Sequence, residues 1–109
     1  MCWFSVSLLF RAIHNGIATD NDLWEEQIVL INADTEEDAR KEGLRIAKSE
    51  EHEYLVSSDS SNTSHAVRWT YIQIERVCEI EGNALFNGLE IFTRYLRNSE
   101  VESILTPFD

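Results

Sequence analysis

The sequence predicts an α+β fold: an antiparallel sheet of about four strands, ordered β-β-α-β-β, with one main helix packed on one face. Three observations predict it. Trp3 to Phe10 and Trp24 to Ala33 read as strands that are apolar on both faces, whereas a half-solvated strand alternates apolar with polar residues. An acidic, cappable start at Asp34 to Asp38 opens a stretch with helical spacing. Two further β-rich runs follow it.

The first strand covers about Cys2 to Ile13. Phe4, Val6, Leu8 and Phe10 share one face, and Trp3 and Leu9 lie on the other, separated by Ser5 and Ser7. His14-Asn15-Gly16 begins a polar connection through Asp22. The second strand covers roughly Leu23 to Ala33 and pairs with the first as an antiparallel hairpin, because strands adjacent in sequence commonly neighbour in space.

Asp34 or Thr35 can cap the free N–H groups of a helix, and Glu36, Glu37 and Asp38 complement its positive end. Ala39, Gly43, Ile46 and Ala47 recur at helical spacing as a narrow stripe of mostly small residues, which lets the helix axis lie close to the sheet. Glu36–Arg40 and Glu37–Lys41 form i,i+4 pairs worth only about 0.2–0.5 kcal/mol each. The helix is expected to end between Glu51 and Tyr54.

Residues 57–65 read as a polar, mobile loop rich in serine. The third strand is about Ala66 to Ile80, and its apolar face switches between Tyr71 and Ile72, a sign of a bulge. Asn87-Gly88 is a favoured tight-turn pair. The fourth strand is expected at Leu89 to Leu96, followed by a polar tail at about 98–109 that is a short helix or frayed.

With 109 residues, the chain is read as one domain, burying roughly 60–70% of its unfolded surface. No apolar run is long enough for a membrane helix. Met1 to Val6 lacks the basic start and cleavage site of a signal peptide and reads as strand, so a cytoplasmic location is expected. The net charge is −11, from 20 acidic and 9 basic residues. Such a surface repels phosphate, which argues against nucleic acid and anionic membranes as partners. It favours solubility and suits a basic partner protein.

No stretch carries a catalytic signature. There is no phosphate-cradling glycine loop and no nucleophile elbow. Cys2 and Cys78 are expected to be free thiols. Cys2 follows the initiator Met, but no activating base lies near it in sequence, so it reads as a small hydrophobe at a strand end. His14, His52 and His65 have no zinc-like spacing. Glu50-Glu51-His52-Glu53 is the densest ligand-capable run, but consecutive helical residues point around the axis, so a solvated helix end is the simpler reading. No metal site, catalytic residue or cofactor is therefore assigned, and the chain leans away from being an enzyme.

Glu25 and Glu26 face opposite ways on a strand, so they cannot act as one acid–base pair. Each is expected to meet an arginine across the sheet, among them Arg68, Arg76, Arg94 and Arg97. The candidate ligand or partner patch is therefore Trp24, Glu25, Glu26, Arg68, Trp69 and Arg94. Trp3, Trp24 and Trp69 equally suit the core or a dimer interface.

The run Trp3-Phe4-Ser5-Val6-Ser7-Leu8-Leu9-Phe10, then Leu23-Trp24-Glu25-Glu26 and its apolar continuation, resembles a small bacterial family known as domain of unknown function 4288. The resemblance continues through Thr35 to Ala39, Glu50 to Tyr54, Val67-Arg68-Trp69 and Gly88 to Arg94. It implies a bacterial origin and one domain, and brings no activity, cofactor or catalytic residue.

Two roles follow from these readings. The first is a non-enzymatic protein-interaction module, for example an antidote-like protein whose acidic surface masks a basic toxin. The second is a small-molecule binder or enzyme using a Trp/Glu/Arg pocket. In either case a homodimer is expected, because the sheet face opposite the helix carries apolar side chains that are costly to leave wet.

Overall fold

The computed structural model describes residues 1–57, 64–82 and 85–106. Its elements are β1 (Cys2–His14), β2 (Trp24–Ala33), α1 (Glu36–Glu50), β3 (His52–Ser57), β4 (Ser64–Ile80) and α2 (Asn98–Leu105). The strands form one antiparallel sheet in the spatial order β2-β1-β4-β3. The sheet is thus α+β with four strands, and the chain order β-β-α-β-β is completed by a second helix.

β1 is one of the two inner strands, and its even-numbered residues from Cys2 to Ala12 are all apolar. Phe4, Val6, Leu8, Phe10 and Ala12 are buried, together with Ile31 and Ala33 of β2 and Val67 of β4. The β1–β2 register runs from Cys2 opposite Ala33 to Arg11 opposite Trp24. On β4 the register slips twice. Ser7 faces Arg76 while Leu8 faces Ile74, and Leu9 faces Gln73 while Phe10 faces Tyr71. Glu75 and Ile72 are the extra residues. The slip at Ile72 is the bulge foreshadowed by the change of apolar face. Together the two slips keep Val77, Ile74 and Tyr71 on the side of Val6, Leu8 and Phe10, where all three pack against the core.

That side also meets α1. Thr35 caps the helix, its Oγ1 accepting from the Asp38 N–H at 3.1 Å. Ala39, Gly43 and Ala47 are buried. A Cβ added at Gly43 would lie 3.1 Å from Val6 Cγ1, so the small-residue stripe is what brings the helix axis near the sheet. The two anticipated ion pairs are present, Arg40–Glu36 at 3.4 Å and Lys41–Glu37 at 3.6 Å.

Two expectations need correction. The helix stops at Glu50, and His52–Ser57 is an edge strand paired to β4. Its short Tyr-Leu-Val run sits directly after an acidic helix end, so it reads in sequence as helix terminus and loop. Leu89 to Leu96 is not a strand. The segment crosses the sheet face opposite α1 without a ladder: the Ile91 carbonyl accepts from Ser5 Oγ and the Thr93 carbonyl accepts from the Arg76 guanidinium. Of the two alternatives for the tail, the short helix is the one present: α2, with no buried residue. Most of the expected polar loop, residues 58–63, and the final residues 107–109 lie outside the described residues. No helix among the described residues is long and apolar enough to cross a membrane.

Candidate functional site

The six residues of the expected patch lie in different surroundings. Glu26 and Arg94 come together. Glu26 Oε2 accepts from Ser7 Oγ at 2.6 Å and lies 4.0 Å from the Arg94 guanidinium. Ser7 is fully buried, so the carboxylate satisfies a hydroxyl that would otherwise be stranded under the crossing segment. Trp24 is half exposed on the same face, with the Arg11 guanidinium 4.9 Å from its ring centre. Glu25 opposes Phe10, hence lies on the α1 side, and accepts from Gln27 at 2.9 Å. Arg68 pairs with Glu51 at 3.8 Å, and Glu51 also accepts the Tyr71 N–H at 3.0 Å. Trp69 packs against the core.

Arg11 and Asp22, which sequence reasoning did not single out, build the β1–β2 connection. Asp22 Oδ2 accepts from Arg11 Nε and from the Thr19 N–H, both at 2.9 Å, and Oδ1 accepts from Thr19 Oγ1 at 3.0 Å. The Thr19 backbone bond, then the Thr19 hydroxyl and Arg11, hold the Asp22 carboxyl below its ordinary range. A depressed folded value means the stabilisation is complete above the unfolded pKa of roughly 4 and is lost as pH falls through the folded value. Asp22→Asn is therefore expected to lower the melting temperature at neutral pH, and the gap to wild type is expected to close in acid. Parallel melting curves against pH check this.

The end of the sheet where β1 begins and β4 finishes carries a different arrangement. The Asn87-Gly88 pair makes a turn, with the Leu89 N–H donating to the Phe86 carbonyl at 3.2 Å and Gly88 at φ 91°. That positive φ suits the third position of a type II turn. The turn sets Phe86, Leu89 and Glu90 opposite Glu79, Glu81 and Gly82, and these six line a cavity of about 610 Å³. Glu79 also lines a neighbouring cavity of about 290 Å³ beside Asp34, Glu36 and Cys2. Five carboxylates thus border two adjoining hollows.

Glu79 acts on the Cys2 thiol. A hydrogen bond to Glu79 is the largest cause that raises the thiol pKa above its ordinary value, with desolvation and the Glu79 charge adding to it. The thiol form is favoured, the reverse of what a nucleophile needs. The run Glu50 to Glu53 is divided between α1, its end and β3. Among the described residues, no group of three or more His, Cys, Asp or Glu is placed to hold a metal ion. His14 Nδ1 and His65 Nε2, 51 positions apart in sequence, meet at 3.1 Å through the β1–β4 pairing.

In sequence Glu79 falls on the expected third strand, Leu89 and Glu90 fall on the expected fourth, and Glu81 and Phe86 fall on neither, so no spacing joins them into the acidic hollow. The Asn87-Gly88 turn was the one visible signal for it. A family model, Domain of unknown function (DUF4288), matches residues 3–93. No curated protein and no solved structure matches.

Proposed function

The chain belongs to the DUF4288 family, a family that brings no activity with it, and from the geometry of its acidic end we propose that it is a non-enzymatic protein-interaction module that receives a basic segment of a partner protein. The observation that carries this reading is the cavity of about 610 Å³ in which Glu79, Glu81 and Glu90 stand beside Phe86 and Leu89. Carboxylates next to apolar side chains suit lysine and arginine, whose charged heads sit on long hydrocarbon stems. The net charge of −11 extends the same preference over distance by steering a basic protein toward the surface. In the antidote-like version, the basic partner is a toxin whose own anionic target is competed away.

The small-molecule reading at the Trp/Glu/Arg patch has less behind it. Glu26 is occupied by Ser7 and Arg94, Arg68 is turned to Glu51, and Trp69 packs on the core.

The test uses a lysine-rich peptide with one leucine as probe. A Glu81→Gln/Glu90→Gln double variant is compared with Glu50→Gln/Glu53→Gln, which removes the same charge elsewhere. The cavity variant is expected to weaken binding about tenfold or more, equivalent to about 1.4 kcal/mol, and the control much less. Binding is expected to weaken as salt rises. Equal losses in the two variants would reduce the effect to general charge and reject the site.

A further inference from the structure

We propose that β2 is also a joint between two copies of this chain, pairing antiparallel about a twofold axis at Val29, so that two four-stranded sheets become one continuous sheet. This goes beyond the basic-partner reading and uses a different surface.

β2 and β3 are the two edges of the sheet. An edge strand presents unpaired N–H and C=O groups, and proteins normally blunt such an edge with brevity, charge or proline. β3 is short and carries His52 and Glu53. β2 is ten residues long, and from Gln27 to Ala33 it has no charged residue and no proline. Ile28 and Leu30 are 45% and 47% exposed, and Trp24 is 45% exposed on the same face.

The backbone phase along β2 is fixed. The Leu23 carbonyl accepts from the Ala12 N–H at 2.9 Å. Alternation along an antiparallel ladder then points the odd-numbered groups of β2 toward β1, and those of Trp24, Glu26, Ile28, Leu30 and Asn32 toward the open edge. About a twofold axis at Val29, Ile28 faces the partner's Leu30 and Glu26 faces the partner's Asn32. Both are pairs of outward-pointing residues, so each can exchange two backbone hydrogen bonds. Glu25 falls opposite the partner's Ala33. The twofold axis therefore carries the glutamates of the two copies to opposite ends of the joint, and no like charges stand face to face.

A second copy fits this edge better than the basic partner does, because the central segment offers a cation nothing to pair with. The sheet face opposite α1 is crossed by the chain's own segment, which meets Ser5 at Ile91 and Glu26, the partner of Ser7, at Arg94.

The experiment is sedimentation velocity of the full chain over a concentration series at low and high salt, paired with amide hydrogen exchange. The expected result is a species of twice the 12.6 kDa chain mass, favoured by salt because two acidic bodies approach. The amides of Ile28, Leu30 and Asn32 are expected to gain protection as concentration rises. Leu30→Lys is expected to raise the dissociation constant about tenfold or more, since the twofold axis counts each lost pair twice, while leaving β1 amide protection unchanged. A monomer at high micromolar concentration, or exchange at Ile28 and Leu30 that ignores concentration, would overturn the joint. Peptide binding at the acidic end would be unaffected by that result, so the two readings fail separately.

Discussion

Replacing Phe10 with alanine is expected to remove about 3–5 kcal/mol of stability, close to the whole margin of a weakly stable domain. Phe10 is 1% exposed and sits in the middle of the central strand β1. Its ring and that of Tyr71 form a T-shaped pair with centroids 6.3 Å apart, a geometry that adds to burial. Its neighbours belong to a fixed ladder and cannot collapse into the space, so both the lost transfer energy and the cavity count. Urea unfolding followed by tryptophan fluorescence measures it. A loss below about 1 kcal/mol would mean that the core is not built on the even-numbered face of β1.

Gly43→Leu is expected to cost about 1–3 kcal/mol or more by overpacking. Space, not backbone freedom, fixes this glycine. A Cβ there would already stand 3.1 Å from Val6 Cγ1, 3.5 Å from Ile74 Cδ1 and 3.6 Å from Ile31 Cδ1. Val6 is fully buried and stiff at χ1, so it cannot swing away. Gly43→Ala is the informative control. Its gain in helix propensity, about 1 kcal/mol, opposes the tight contact with Val6. A leucine tolerated as well as alanine would mean that α1 rides higher on the sheet than described.

The parts of this fold that sequence made legible are those set by local rules. The hairpin of β1 and β2 follows from two long apolar runs with a polar turn between them. Thr35 and the acids after it mark the helix start, and the change of face at Tyr71 and Ile72 marks the bulge. The misread parts are those decided by tertiary partners. Leu89 to Leu96 is rich in β-branched and aromatic residues as a strand is, yet the Ile91 and Thr93 carbonyls are taken by the Ser5 hydroxyl and the Arg76 guanidinium. His52–Ser57 has too few residues to announce a strand before β4 pairs with it. At the candidate site the same division holds. The Glu26–Arg94 contact was foreseeable as an opposite-charge pair. The meeting of Glu79 and Glu81 with Phe86, Leu89 and Glu90 depends on how the Asn87-Gly88 turn folds the chain back, which no spacing encodes.

The central claim is that the acidic end receives a basic segment, and amide chemical-shift mapping tests it most directly. The isotope-labelled chain is titrated with the leucine-containing lysine peptide at moderate salt. The expected shifts cluster at Glu79, Glu81, Gly82, Leu89 and Glu90, with small changes along α1. Shifts spread evenly over the acids of α1, or centred on Trp24 and Arg94, would contradict it.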